Sequence, residues 1–122
     1  MNPTTSSIDA PASIQPALRA KTKYGRVFND PSLEQIFTLV CGLGPGNPYL
    51  VIDRLDQPDG DYYAQALHDG DGIWVVEYRD GGRNRHFQAL ATGPGVVSQI
   101  LAGWVLQLPG WQGHLVWRPL YQ

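Results

Sequence analysis

The residues that could carry out chemistry are few and widely spaced in this chain of 122 residues. His68, Asp69 and Asp71 have the donor types of a metal site. A calcium-binding EF-hand loop that began at Asp69 would need glycine where Trp74 stands, so a solvated hairpin turn is the better interpretation. Ser98 lies in a predicted helix, outside the Gly-x-Ser-x-Gly context of a nucleophile. The sequence therefore predicts no catalytic residue, no metal ligand and no cofactor.

His86 is the remaining candidate for acid–base chemistry. It stands in the middle of a predicted strand, from which it can face Glu77 or Tyr78 across a hairpin. A structural polar pair is the favoured interpretation over a general base, although the ordinary pKa of histidine would suit acid–base chemistry. A small enzyme or ligand-binding domain that uses His86 stays open as a less favoured alternative.

Acidic residues are concentrated in the middle of the chain. Between Asp53 and Asp80 eight acidic residues stand against two arginines, Arg54 and Arg79, so this stretch has a formal charge of −6, whereas the amino-terminal flank is basic. These carboxylates suit the geometry of turns, and they could also form an acidic rim that steers a basic partner. With two aromatic anchors, the predicted partner-binding residues are Asp59, Asp61, Tyr62, Asp69, Asp71, Asp80 and Trp111.

Two helices are predicted from apolar residues spaced three and four apart. The first covers about residues 31–41, begins after Asp30 as its cap, and has a stripe made by Leu33, Ile36, Phe37 and Val40. The second begins at 92–95 and ends near residue 106. Its stripe consists of Val97, Ile100, Leu101, Trp104 and Val105.

Alternating apolar residues between Gly- and Asp-rich turns predict the strands. A first strand is expected within residues 18–28, and a last one over 114–118. Between the helices the sequence predicts a meander of four strands over 49–53, 61–67, 73–79 and 85–90. The predicted fold is α+β in the order β-α-β-β-β-β-α-β, with two helices covering an antiparallel sheet. Residues 1–14 are predicted to be a flexible lead-in to a single domain over 15–122.

The composition is that of a small soluble domain. Hydrophobic residues make up 43% of the chain, which is enough for a core, and no apolar run is long enough to cross a membrane. A net charge of −2 argues against direct binding to nucleic acid. Cys41 is the only cysteine, so an intrachain disulfide is excluded, and we expect a small buried side chain there. No secretory signal is visible, and the protein is expected to be cytoplasmic.

The order of these elements resembles the small immunity proteins of bacterial polymorphic toxin systems, in particular the family paired with many deaminase-type toxins. The similar pieces are Asn29-Asp30-Pro31-Ser32-Leu33-Glu34 with its helix, residues 49–55, residues 75–82, and residues 103–117 with their three tryptophans. The scarcity of lysine and the richness in Arg, Gly and Pro also resemble small proteins of high-GC actinobacteria.

The resemblance implies a protein that binds one cognate toxin, such as a nucleic-acid-targeting deaminase or nuclease, and blocks its active site. It implies no cofactor, no membrane and no direct contact with nucleic acid. The alternative of a structural or regulatory adaptor, which self-associates through an edge strand, also stays open.

Overall fold

The computed structural model describes residues 15–57 and 61–120, which form a seven-stranded antiparallel sheet with two α-helices. The predicted α+β fold is confirmed. The predicted lead-in over residues 1–14 and the candidate residue Asp59 lie outside the described residues. Within those residues, neither helix has the length and apolar character needed to cross a bilayer.

The elements are β1 (Leu18–Thr22), β2 (Val27–Asn29), α1 (Leu33–Cys41), β3 (Tyr49–Arg54), β4 (Tyr62–His68), β5 (Trp74–Asp80), β6 (His86–Ala91), α2 (Pro94–Leu106), a short 3-10 helix (Trp111–His114) and β7 (Arg118–Pro119).

The strands lie in the order β2-β1-β3-β4-β5-β6-β7, and every neighbouring pair is antiparallel. At one end of the β4–β5 hairpin Tyr62 pairs with Asp80, and at the other end His68 pairs with Trp74. These ends are about 20 Å apart, because a strand rises about 3.3 Å per residue. Side chains alternate between the two faces of the sheet, so one face can be covered by helices while the other stays open.

The core lies between the two helices and one face of the sheet. Every second residue of β3, β4 and β5 points into it, as the alternation in the sequence predicts. Each fully buried aliphatic side chain stabilises the fold by about 1.5–3 kcal/mol. The largest fully buried side chains are Ile36, Leu50, Ile52, Ile100, Leu101, Val40, Val76 and Val97.

The start of α1 differs from the prediction. Ser32 is the cap, because its hydroxyl oxygen accepts a hydrogen bond from the backbone N–H of Gln35 at 3.0 Å. Asp30 instead accepts from the backbone N–H groups of Ala17 and Leu18, at 2.9 and 3.0 Å, and so ties the entry of the helix to β1.

The buried face of α1 is also rotated from the predicted stripe. Ile36 and Val40 are buried as expected, but Leu33 and Phe37 are exposed and Leu39 is buried in their place. Cys41 is exposed, so the expectation of a buried thiol is wrong. In α2 the predicted stripe is buried, except that Val105 is only half-buried. Gly103 is buried as well.

Two segments of the sheet are shorter than predicted. Residues 18–28 do not form one strand, because the chain turns at Gly25, which has a φ of +80°, and returns as β2. Near the carboxyl terminus, the predicted strand begins inside the 3-10 helix at His114 and is irregular over residues 115–117, so that β7 has only two residues, Arg118 and Pro119. Both edges of the sheet therefore end in a very short strand.

Candidate functional site

Three of the predicted partner-binding residues meet at one cavity. Tyr62, Asp80 and Trp111 line a space of about 390 Å³ at one end of the sheet. Asp61 lies beside them, but on the opposite face of the sheet, as strand alternation requires. Asp69 and Asp71 lie at the other end of the β4–β5 hairpin and take no part in the cavity.

The cavity forms where the helical layer ends before the sheet does. Arg54, Tyr62 and Asp80 stand at the ends of β3, β4 and β5, on the face that carries the core. Above them α2 ends at Gln107, which adopts a left-handed conformation with φ of 55° and reverses the chain. The following residues, up to the 3-10 helix, form the opposite wall of the cavity.

An aromatic cluster makes one wall of the cavity rigid. The ring centroid of Tyr78 lies 4.8 Å from that of Trp111 and 4.9 Å from that of Trp117, and each pair is nearly perpendicular. Trp111 lies close to α2 because the neighbouring helix residue is Gly103, where an added Cβ would be 2.6 Å from the Cβ of Trp111. Burial raises the pKa of the Tyr78 hydroxyl above its ordinary value of about 10, so the wall is uncharged at neutral pH.

The carboxylates at this end of the hairpin are held in ion pairs. Oδ2 of Asp80 lies 2.6 Å from Nη2 of Arg85, and Oδ2 of Asp61 lies 3.7 Å from Nη2 of Arg79. Such exposed pairs contribute little to stability, because solvent screens them. The pairs matter electrostatically, because each arginine offsets the negative charge of one carboxylate in the acidic stretch from Asp53 to Asp80.

Asp69 and Asp71 lie in a well-anchored turn. Oδ1 of Asp69 accepts a hydrogen bond from the backbone N–H of Asp71 at 3.0 Å, which is the local role expected of aspartate in a turn. Within the described part of the chain, neither carboxylate has a Lys or Arg nitrogen within 4.0 Å. Gly70, with φ of +102°, packs so closely on Pro45 that an added Cβ would lie 2.5 Å from its ring. The turn therefore presents two charged groups on a fixed backbone.

His86 belongs to a polar cluster on the open face of the sheet. Its Nε2 lies 3.2 Å from Oε1 of Glu77, which is one of the two contacts that the sequence predicts. Glu77 also accepts hydrogen bonds from Gln65 at 3.2 Å and from Gln88 at 2.9 Å. Burial, and then the charge of Glu77, raise the pKa of the adjacent Tyr63 hydroxyl. The carboxylate is thus satisfied by three neighbours, as in a structural network.

Two further findings bear on catalysis. His86 lines neither the cavity already described nor a second one of about 550 Å³, which runs along β6 beside the exposed residues Leu90 and Val116. Across residues 15–57 and 61–120, no group of three or more His, Cys, Asp or Glu side chains is arranged to hold a metal ion.

Arg54 is the residue of the cavity that sequence reasoning misses. It is only 8% exposed, and its Nη2 donates to the backbone oxygens of Trp104 and Val105 at 2.9 and 3.2 Å. Its guanidinium carbon lies 4.6 Å from the centre of the Trp104 ring. The available signal was the alternation in β3, which places Arg54 on the same face as Leu50 and Ile52, both fully buried.

Comparison with known proteins gives no relative: no family model, curated protein or solved structure matches this chain. The resemblance to immunity proteins therefore stays a prediction, and the function has to be argued from the surface itself.

Proposed function

We propose that this chain is an immunity protein, which binds one cognate bacterial toxin and blocks its active site stoichiometrically. The toxin is an enzyme that acts on nucleic acid, such as a deaminase or nuclease, and the immunity protein acts in the cytoplasm without a cofactor. The observation that supports this proposal is the convergence of Tyr62, Asp80 and Trp111, which are far apart in the sequence, on one concave surface. Tyrosine and tryptophan in such well-packed positions contribute a large share of the binding energy in protein interfaces.

The rigidity of this surface favours binding to a protein. Trp111 is fixed against Tyr78 and against α2 at Gly103, and Trp117 donates from Nε1 to the backbone oxygen of Gln112 at 2.8 Å. A side chain that is already immobile loses little conformational entropy when a partner binds. The aromatic end of the sheet can therefore contribute affinity without first being ordered by the toxin.

The charge distribution favours a basic partner. Asp56, Asp69 and Asp71 have no Lys or Arg nitrogen within 4.0 Å among the described residues. Enzymes that act on nucleic acid present basic surfaces to phosphates. Carboxylates without a paired cation attract such a surface over a distance of about 10 Å at moderate salt, so they accelerate encounter more than they strengthen the final complex.

The edges of the sheet do not favour the adaptor alternative. Self-association through an edge strand needs a long row of free backbone groups. Here one edge is the three-residue strand β2. At the other edge the two-residue strand β7, which contains Pro119, covers Phe87 and Gln88 and leaves only residues 89–91 of β6 beyond it uncovered. The cavity end of the β4–β5 hairpin, where Tyr62, Asp80 and Trp111 meet, is therefore the better candidate for an interface.

The experiment that tests the function uses the protein encoded directly upstream of this chain. We expect that protein to be toxic when expressed alone, to be tolerated when this chain is co-expressed, and to lose its activity on nucleic acid at a 1:1 molar ratio of the two proteins. The proposal is wrong if the two purified proteins form no complex, or if the complex retains full activity.

Two substitutions then locate the surface. Trp111→Ala should weaken the complex by about 2 kcal/mol or more, as expected for an aromatic anchor, whereas Val116→Ala, at a side chain that is 91% exposed near β7, should have no effect. Circular dichroism must first show that both variants are folded. Equal affinities of the two variants would place the interface elsewhere.

The double substitution Asp69→Asn/Asp71→Asn should slow association by about two- to tenfold at low salt, and much less at high salt. The matched control is Lys21→Gln/Asp53→Asn, which removes an ion pair of 2.9 Å without changing the net charge. Stopped-flow measurements at two salt concentrations compare them. An association rate that is the same in the Asp69/Asp71 variant and the wild type would exclude steering by this turn.

A further inference from the structure

We propose that the cavity between the end of the sheet and α2 binds a small organic carboxylate with a flat apolar body, and that Arg54 receives its negative charge. This proposal goes beyond toxin neutralisation and does not depend on it, because the isolated chain would bind the ligand. Three features support it: Arg54 has no carboxylate partner among the described residues, the cavity has a suitable size, and its walls have suitable chemistry.

Arg54 carries a buried charge that has no anionic partner among the described residues. It is 92% buried, yet within residues 15–57 and 61–120 no carboxylate oxygen lies within 4.0 Å of its guanidinium nitrogens. Proteins rarely bury an arginine without an acidic partner, because the loss of hydration is costly unless another charge offsets it. Arg54 thus places one positive charge at the cavity wall, which a negatively charged ligand can offset.

The structural role of Arg54 accounts for only part of its hydrogen-bonding capacity. Its Nη2 donates to the carbonyl groups of Trp104 and Val105, and so caps the carboxyl end of α2. Nε and Nη1 have no acceptor among the described residues, although a guanidinium has five N–H donors in all. Helix capping therefore explains one nitrogen, and within the described residues the other two have no acceptor and can bind one that enters the cavity.

The walls of the cavity favour a carboxylate on a flat body over other anions. A carboxylate accepts two parallel hydrogen bonds from one guanidinium group, and it carries a single charge to match the single cation. Doubly charged phosphate is less suitable, because Arg54 can match only one negative charge and the Asp80 carboxylate also lines the cavity. Tyr78 and Trp104 are largely buried, so Tyr62 and Trp111, the partly exposed aromatic residues of the lining, offer the flat apolar surfaces for the rest of the ligand.

The size of the cavity is also appropriate. Its volume of about 390 Å³ falls within the range of about 300–1,000 Å³ found for small-molecule sites. The amide groups of Gln57, Gln107 and Gln112 lie around it and can bind polar substituents. The ligand is therefore a small molecule with one carboxylate and one aromatic ring system, rather than a long chain or a polyanion.

Phenylacetate and its uncharged analogue phenylacetamide are a suitable pair of probes for the full chain. In NMR spectra of the ¹⁵N-labelled protein, millimolar phenylacetate should shift the Nε–H signal of Arg54 and the indole signals of Trp104 and Trp111, and these shifts should saturate. Phenylacetamide should bind at least about tenfold more weakly, because it cannot form the charge-assisted pair. Equal binding of the two probes, or no saturable shift with phenylacetate, would overturn the proposal.

Substitutions then assign the charge to one residue. Arg54→Lys keeps the positive charge but loses the planar fork, and we expect it to weaken phenylacetate binding by at least about tenfold. Arg118→Gln removes a cation from the second cavity, beside β6, and should leave binding unchanged. If Arg54→Lys does not fold, the comparison of phenylacetate with phenylacetamide on the wild type still decides the question. Loss of binding in Arg118→Gln would also overturn the assignment.

Discussion

At one end of the β4–β5 hairpin, Asp69 and Asp71 lie in a tight turn, and no Lys or Arg nitrogen of the described residues lies within 4.0 Å of them. At the other end, about 20 Å away, Asp61 and Asp80 are paired with arginines beside an aromatic cavity. In the sequence all four are aspartates at or near the end of a strand. Their surroundings differ because one end is a turn of a few residues, whereas the other end meets α2 and the segment that follows it.

This difference shows why a count of charges along the chain is not a map of the surface. Lys21 and Arg85 come from outside the acidic stretch and lie against Asp53 and Asp80. Under the proposed function, the turn end would act at long range through charge, and the cavity end would act at contact through its aromatic surface. The following three predictions test how far this separation extends to stability.

The largest expected effect comes from removing the aromatic cluster at the cavity end. Tyr78→Ala should lower the free energy of unfolding by about 3–5 kcal/mol, since a buried ring is lost and its neighbours cannot close the space. Ile73→Ala, just before the opposite end of the same strand, should cost about 0.5 kcal/mol or less because Ile73 is 57% exposed. Urea denaturation of the two variants measures both values. Similar losses would show that the two ends contribute equally to the core.

A smaller effect is expected where α2 contacts the cavity wall. Gly103→Ala should destabilise the fold by about 1–3 kcal/mol, because the new methyl group would overlap Trp111. Gly95→Ala, in the first turn of the same helix, meets no atom within 4 Å and should stabilise the protein by up to about 1 kcal/mol. If thermal unfolding shows both variants to be stabilised, Trp111 is free to move, and the wall is less rigid than described.

The smallest effect is a pH dependence that belongs to the cavity end. Burial raises the pKa of Tyr78 in the folded state, whereas in the unfolded chain it is near 10. The unfolded chain therefore loses its proton first, so this contribution to stability is complete below about pH 10 and is lost as the pH rises through the folded-state pKa. Urea denaturation at several alkaline pH values should show a shallower decline for Tyr78→Phe than for the wild type. An unchanged decline would mean that Tyr78 is not the group responsible.

The sequence predicts best those features that are decided locally. The β4–β5 turn is predicted correctly, because Gly70 and Gly72 supply the positive φ angles that such a turn requires. The direction in which α1 faces is not local, since it depends on how the helix meets the sheet. A stripe that includes Leu33 and Phe37 is therefore as plausible in the sequence as the one through Leu39 that is actually buried.

The candidate site is predicted only in part, for a related reason. Tyr62 and Asp80 become neighbours through the register of one hairpin, which the turn residues already suggest. Trp111 joins them only because the chain reverses after α2 at Gln107. This residue is not a glycine, and no sequence pattern predicts its positive φ. Arg54 is missed because a charged residue at the end of a strand usually points into solvent.

The position of Arg54 has a consequence for how the chain folds. From β3 to β6 each strand pairs with the next one in the sequence, so the meander can assemble by closing short loops, which is the least costly kind of contact for an unfolded chain. The two carbonyl groups that hold Arg54, however, come from residues about fifty positions later. We therefore expect the cavity to close late, when α2 docks on a sheet that has already formed. During synthesis on the ribosome, Arg54 would stay hydrated until nearly the whole domain has emerged.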